Sequence, residues 1–329
     1  MKILFVNPDS RHTCSFYRSA GIARNLRNQL GSDFTLDVAS WANVDISWSG
    51  IGDYDMIMFQ RPWSKPMAKF CGHVKEMGAK LWLDFDDNLF TVGPENKAFQ
   101  IFGNPEVQDS VKEMIQIADV LSVTTEDLKN DLAKLNDNIV VIPNAFNDGI
   151  FDVNRKLEER DNTVLWRGSD THIYDMMTNA PAITKCTEEH PEWEFTYVGY
   201  NPWFLPASKN IKFVRSMDVI DFFNTVFDMK PGVVHIPLND TNFNRCKSNI
   251  AFIEAAYWGA VALVPEWWGE IPGTIPYSDN DSYYEGLTSL LNGTVDLEAM
   301  NKLAWNYVKK NLLLSDVNKL RVDVIKKTL

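Results

Sequence analysis

The sequence predicts an α/β protein with two doubly wound domains in tandem, which face each other across a cleft and carry further helices at the C-terminus. Three observations support this fold class. The 329 residues exceed what one hydrophobic core usually organises. Short apolar runs alternate with helical patterns, as they do when crossover helices join parallel strands. A polar stretch without periodicity interrupts this alternation once, and a second alternating series follows it.

The first series predicts a parallel α/β domain over residues 1–147. Five apolar runs predict its strands: "KILFVN", "YDMIMF", "AKLWLDF", "DVLSVT" and "NIVVIPN". Helical patterns lie between these runs, near residues 16–30, 65–77, 107–118 and 126–135. Residues 148–162 are polar and charged, so they predict a linker between two cores.

The second series predicts another domain of the same kind over residues 163–329. Its strands are the runs "TVLWRGS", "EFTYVGY", "IKFV", "GVVHIPL" and "VALV". A helix is predicted near residues 173–190, another before "VALV", and two or three amphipathic helices in the last fifty or so residues. Since such domains bind ligands at the carboxyl ends of their strands, the cleft between them is the predicted site.

Composition and cysteine usage exclude several classes of protein. The formal net charge of -12 disfavours broad binding to a nucleic-acid backbone. The four cysteines are far apart and form no CxxC pair, so we expect neither disulfides nor a zinc site, and a reducing cytoplasmic location. No apolar run is long enough to predict a signal peptide or a membrane span. NAD-type and P-loop fingerprints are both missing from the sequence.

A charged pair marks the segment from Asn244 to Val264. Lys247 precedes Glu254 by seven residues, so on one helix the two would share a face, roughly 10 Å apart along the axis. Ser248 or Asn249 would cap this helix, and their free N–H groups together with Lys247 suit a diphosphate. Glu254 suits two vicinal hydroxyls. The alternative is a solvated helix face, although alanines flank the glutamate.

A second polar segment, "LWRGSDTH", follows a predicted strand. Arg167 ends that strand, and Gly168, Ser169, Thr171 and His172 come directly after it. A glycine that permits close backbone approach, hydroxyl side chains and a planar guanidinium together form a cradle suited to an anion. The simpler interpretation is a capped helix after a strand.

Carboxylates cluster at the end of a strand in the first domain. The run "DFDDN" contains Asp84, Asp86 and Asp87, which suit the orientation of acceptor hydroxyls, one of them acting as a base. An acidic turn that caps the next segment is the alternative interpretation, and no metal site is predicted. Trp267 lies on a loop bounded by proline and glycine, where its ring suits stacking on a sugar or a base.

Together these segments resemble the glycosyltransferases of the two-Rossmann-domain type called GT-B, in the large retaining group, with bacterial or bacteriophage origin expected. In that family a glutamate on the corresponding helix holds the donor ribose, a role that the resemblance gives to Glu254. It also implies that the turn at Gly168 receives the donor diphosphate. Tyr17 and Arg18 resemble a family pair near the transferred sugar or donor phosphate. Cys246 stands where many members have an acidic residue that contacts the donor sugar.

The resemblance implies a retaining glycosyltransferase without cofactor or metal, which moves a sugar from a nucleotide-diphosphate donor, UDP favoured, to a hydroxyl of a glycan, a small molecule or a modified DNA base. Three alternatives stay open: a viral glycosyltransferase for hydroxymethylpyrimidine DNA, a non-hydrolysing sugar-nucleotide epimerase and a non-catalytic sugar-nucleotide binding protein. We expect catalytic roles for Asp86, Asp87, Arg167 and Lys247, and donor binding by Arg18, Gly168, Ser169, Thr171, His172, Ser248, Asn249 and Glu254. Tyr17, Asp84 and Trp267 are expected on the acceptor or sugar side.

Overall fold

The chain forms two six-stranded parallel sheets with helices on their faces, which confirms the predicted fold class. The computed structural model describes residues 1–9, 13–41, 48–154 and 159–329, so residues 155–158 of the predicted linker lie outside the described part. None of the helices in the described ranges combines the length and the apolar character that a membrane crossing requires.

The first sheet has the strand order β2-β1-β3-β4-β5-β6. Its strands are β1 (Lys2–Asn7), β2 (Thr35–Ser40), β3 (Met56–Gln60), β4 (Lys80–Phe85), β5 (Val120–Val123) and β6 (Ile139–Val141). Strand β2 was not predicted, because its sequence "TLDVAS" mixes exposed and buried residues and contains no continuous apolar run.

The helices of this part of the chain are α1 (Thr13–Arg18), α2 (Ala23–Leu30), α3 (Lys65–Glu76), α4 (Phe99–Phe102), α5 (Pro105–Ile117) and α6 (Glu126–Leu132). The single helix predicted near residues 16–30 is therefore two helices. The break lies near Gly21, where an added Cβ atom would overlap the carbonyl oxygen and ring of Phe16. This close approach of the chain to Phe16 lies between the end of α1 and the start of α2.

The second sheet has the strand order β12-β11-β10-β7-β8-β9. Its strands are β7 (Asp161–Arg167), β8 (Glu194–Gly199), β9 (Ile211–Arg215), β10 (Pro231–His235), β11 (Val261–Pro265) and β12 (Thr274–Tyr277). The helices that follow along the chain are α7 (Ile173–Thr178), α8 (Ala180–Glu189), α9 (Val219–Asp228), α10 (Asn242–Arg245), α11 (Ile250–Trp258), α12 (Asn280–Leu291), α13 (Leu297–Asn311) and α14 (Leu314–Thr328).

The last helix, α14, packs on the first sheet, although the sequence analysis placed residues 163–329 in the second domain. Its buried residues Leu314, Val317 and Ile325 share one core cluster with Ile3 and Phe5 of β1. Their spacings of three and eight residues place them on one side of α14, and β1 and β3 offer an apolar face to receive it. The chain therefore crosses between the two domains twice.

Candidate functional site

One cleft, with a volume of about 460 Å³, is lined by residues at the carboxyl ends of strands in both sheets. It lies where doubly wound sheets bind their ligands. The structure brings together most of the predicted site residues on its walls: Tyr17, Asp86, Asp87, Arg167, Gly168, Ser169, Thr171, His172, Lys247, Ser248 and Glu254. The other four predicted residues, Arg18, Asp84, Asn249 and Trp267, do not line it.

Glu254 is the buried centre of a contact between the two domains. Helix α11, which carries it, begins after Asn249 and ends at Gly259, a glycine in the left-handed conformation with φ +90°. The Tyr17 hydroxyl donates to Glu254 Oε1 over 2.6 Å, and Arg167 Nε donates to Oε2 over 2.6 Å. Burial raises the pKa of Glu254, although Arg167 and the Tyr17 hydrogen bond act to lower it. The glutamate is thus not part of a solvated helix face.

Lys247 does not share a helical face with Glu254, because α11 begins only at Ile250 and Lys247 precedes it. Its ammonium instead crosses the cleft and donates to Asp87 Oδ1 over 3.0 Å. The same ammonium lies 4.3 Å from the centre of the Phe243 ring, a cation–π contact within the second domain. Lys247 and Glu254 therefore line the same cleft while they bind different partners.

Arg61 is a cleft residue that the sequence analysis missed. Its Nε donates to Asp86 Oδ1 over 2.6 Å, and its Nη2 lies 3.1 Å from Asp87 Oδ2. Burial acts to raise the pKa of Asp87, but Lys247 and Arg61 outweigh it and lower that pKa. Arg61 has φ +46°, an uncommon backbone conformation for a residue other than glycine, and such conformations cluster at functional sites. Its position directly after β3 was the available sequence signal.

The turn after β7 is held against the turn after β8. The Gly168 N–H donates to Val198 O over 3.1 Å. Gly199 has φ +101°, and an added Cβ atom there would overlap the Gly168 carbonyl oxygen. Only glycine fits at Gly199, since any side chain would be strained and would also push the Gly168 turn away. Gly168 was predicted as a site residue from the sequence, and Gly199 was not.

Replacing Gly199 with alanine is expected to lower the free energy of unfolding by about 3 kcal/mol or more, because backbone strain and steric overlap add. Gly78 is the matched control: it has φ +82° and open space around a Cβ atom, so Gly78→Ala meets strain alone and should cost about 1 kcal/mol. Urea unfolding of both variants measures the difference. Equal losses would show that the contact with Gly168 is not tight.

Asn96 and Lys97 of the first domain contact the turn after β7 that was predicted as an anion cradle. The Lys97 ammonium donates to Asp170 Oδ2 over 2.6 Å, and Asn96 Nδ2 donates to Thr171 O over 3.2 Å. His172 Nδ1 lies 3.0 Å from Asp175 Oδ2, within its own domain. Residues of the first domain thus hold the turn of the second domain in place.

Arg18 and Asp84 were predicted as ligand-binding residues, and the structure corrects both assignments. Both are buried and bind each other through two hydrogen bonds, Nε to Oδ1 over 2.8 Å and Nη2 to Oδ2 over 2.7 Å. Arg18 Nη1 also donates to Ile142 O over 2.6 Å. The physical reason is that Asp84 lies within β4, with its side chain on the sheet face that α2 and α14 cover, whereas Asp86 and Asp87 follow the strand end.

Asn249 and Trp267 also lie outside the cleft walls. Asn249 is the residue before the first turn of α11 and makes no side-chain capping bond. Trp267 packs against the second-domain core, and its ring lies 5.6 Å from the Arg245 guanidinium, while the neighbouring Trp268 lines the cleft. Cys246 is buried, does not line the cleft, and places its thiol against Asn88 and Asp131.

Solved structures of similar fold include a glycosyltransferase, a UDP-GlcNAc 2-epimerase and a protein solved with UDP and glucose. The Anabaena protein HepE, solved with UDP and glucose, gives a TM-score of 0.70 at 11% identity over 99% of this chain and 100% of that one. A glycosyltransferase from Rickettsia africae gives 0.67 at 13% identity over 99% and 98% of the two chains. The UDP-GlcNAc 2-epimerase of Neisseria meningitidis, bound to UDP-GlcNAc, gives 0.58 at 14% identity over 99% and 100%. These similarities confirm the predicted two-domain fold.

No protein-family model matches the sequence, and a search of curated proteins gives no match.

Proposed function

We propose that this protein is a glycosyltransferase that moves a sugar from a nucleotide-diphosphate donor to an acceptor hydroxyl without a metal ion. One observation carries the proposal. The cleft places Arg167, Lys247 and the start of α11 on the second domain opposite Asp86 and Asp87 on the first. Cations that face carboxylates across one cleft suit a reaction in which a diphosphate leaves and a hydroxyl attacks.

The donor diphosphate is proposed to lie over the Gly168 turn. Arg167 offers a planar guanidinium, Lys247 an ammonium, and the first turn of α11 its free N–H groups. The Glu254 carboxylate binds Tyr17 and Arg167 with one hydrogen bond per oxygen. Since a carboxylate offers about four lone-pair sites, Glu254 keeps capacity for the ribose hydroxyls. UDP is the favoured nucleotide, in keeping with the ligands named for HepE and the epimerase.

The chemical step is proposed to depend on charge that is already in place. Negative charge builds up on the departing diphosphate, and Arg167 and Lys247 stabilise it without reorganisation of solvent. Asp86 or Asp87 orients the acceptor hydroxyl and takes its proton. We propose retention of the anomeric configuration, in line with the retaining group that the sequence resembles. Retention requires the hydroxyl to attack on the face of the sugar from which the diphosphate leaves, and NMR of the product gives the configuration directly.

The acceptor is proposed to be a glycan or a small molecule with a free hydroxyl. A net charge of -12 disfavours duplex DNA, and a comparison of hydroxymethylated with plain duplexes tests that acceptor. Incubation with UDP-GlcNAc alone separates transfer from epimerisation, because an epimerase would change the sugar in the absence of any acceptor.

Calorimetric titration with UDP, GDP, ADP and CDP tests the donor site. We expect one nucleotide to bind, and both Glu254→Ala and Lys247→Ala to weaken its binding about tenfold or more, because each removes a hydrogen bond to a charged group. Arg245→Ala is the control, since Arg245 is exposed and pairs with Asp240 outside the cleft. If none of the four nucleotides binds to the unaltered protein, the proposed function is wrong.

A further inference from the structure

Every arginine and lysine that lines the cleft in the described part of the chain is already paired with a carboxylate. Arg167 pairs with Glu254, and Arg61 with Asp86. The third pair, Lys247 with Asp87, joins the two domains. An anionic ligand therefore enters a cleft in which each cation already shares its charge with a carboxylate.

The pair between Lys247 and Asp87 is the one that a ligand can open. Its side chains are 17% and 20% exposed, whereas the Glu254 side chain is only 1% exposed. Asp87 also contacts Arg61 over 3.1 Å, so it keeps a cation when Lys247 is taken away. The Phe243 ring likewise holds the Lys247 ammonium beside the start of α11. Opening this pair leaves neither charge isolated, which avoids the main cost of breaking an ion pair.

We infer that Asp87 competes with the donor diphosphate for the Lys247 ammonium, and that the diphosphate displaces Asp87 from Lys247 on binding. The inference rests on the proposed function, because it takes the ligand to be a nucleoside diphosphate. Asp87 thereby selects ligands that bring enough negative charge to replace it at the ammonium. Once displaced, Asp87 remains on Arg61, on the side of the cleft proposed for the acceptor hydroxyl.

The test is a calorimetric double-mutant cycle with UDP, or with whichever of the four nucleotides binds, on the full chain. Asp87→Asn is expected to tighten UDP binding about five- to tenfold, because Lys247 becomes free. In a Lys247→Met background the same change should give no gain, which shows as non-additivity. Uridine lacks phosphate, so its affinity should stay the same in all four proteins.

Asp86→Asn is the matched control, because Asp86 pairs with Arg61 and not with Lys247. It removes an equal charge and should tighten UDP binding less than Asp87→Asn does. Weaker UDP binding by Asp87→Asn, or an equal gain in the Lys247→Met background, would overturn the inference and leave the proposed function standing. No binding by the unaltered protein would contradict both. Asp87→Ser repeats the test if the asparagine variant does not fold.

Discussion

Replacing Asp84 with asparagine is expected to lower the free energy of unfolding by about 3–5 kcal/mol, the usual cost of removing one partner from a buried ion pair. Asp84 receives two hydrogen bonds from Arg18 and a third, over 2.5 Å, from the Ser122 hydroxyl. The Arg321 guanidinium of α14 is buried near this pair. Burial lowers the pKa of Arg321 most, the Arg18 charge lowers it further, and the Asp84 charge raises it. Without Asp84, the two buried cations Arg18 and Arg321 would lose their nearest counter-charge.

A matched control is available in the same protein. Arg245 and Asp240 form the same two-bond geometry, Nε to Oδ1 and Nη2 to Oδ2, at the surface with both side chains about half exposed. Asp240→Asn should leave stability unchanged within error, because water solvates the remaining charge. Unfolding of both variants in guanidinium chloride measures the two changes in the free energy of unfolding. Equal effects would show that burial does not set the strength of the Arg18 pair.

The ion pair of Arg18 and Asp84 also affects the shape of the cleft, because Arg18 directly follows Tyr17 in α1. The buried pair fixes the end of α1, and from there the Tyr17 hydroxyl reaches Glu254 in the other domain. A folded Asp84→Asn protein should therefore bind the nucleotide less tightly. Arg18 and Asp84 act in this picture as positioning residues, which hold Tyr17 without touching the ligand.

The fold was largely predictable, because buried parallel strands are written as continuous apolar runs separated by helical patterns. Prediction failed where that signal is weak. Strand β12, "TIPY", is short and half-exposed, and it was missed as β2 was. The position of α14 was not predictable either, because an amphipathic helix shows that it covers an apolar surface without showing which one.

The candidate site was only partly predictable, because a charged residue near a strand end can face the cleft or the interior. Asp84 lies inside the apolar run of β4, next to Gln60 and Ser122 on the neighbouring strands, and this position was a signal of burial. Asp86 and Asp87 follow the run and face the cleft. The contact between Tyr17 and Glu254 joins residues 237 positions apart, which no local pattern reveals.

Replacing Arg167 with alanine is expected to lower kcat/KM for sugar transfer on the order of a hundred- to a thousandfold. Losses of this size follow the removal of one preorganised hydrogen-bond donor to the charge that develops in a transition state. Arg167→Lys keeps the charge but loses the planar fork, so its loss should be smaller. Release of the nucleotide from the donor sugar measures both, with Arg245→Ala as the unaffected control. A loss of less than tenfold in Arg167→Ala would place the departing diphosphate elsewhere.

The same variant should change how stability depends on pH, through Glu254. Arg167 acts to lower the pKa of Glu254, which burial already raises above its ordinary value of 4.5, so its removal raises that pKa further. A carboxyl group with a raised folded-state pKa favours folding below its unfolded-state pKa, and this contribution is lost as the pH rises through the folded-state value. The stability gap between Arg167→Ala and the unaltered protein should therefore widen from pH 5 to pH 8, as measured by urea unfolding. Between Glu254→Gln and the Arg167→Ala/Glu254→Gln double variant the gap should not widen, because glutamine does not titrate; widening that persisted there would assign the effect to another group.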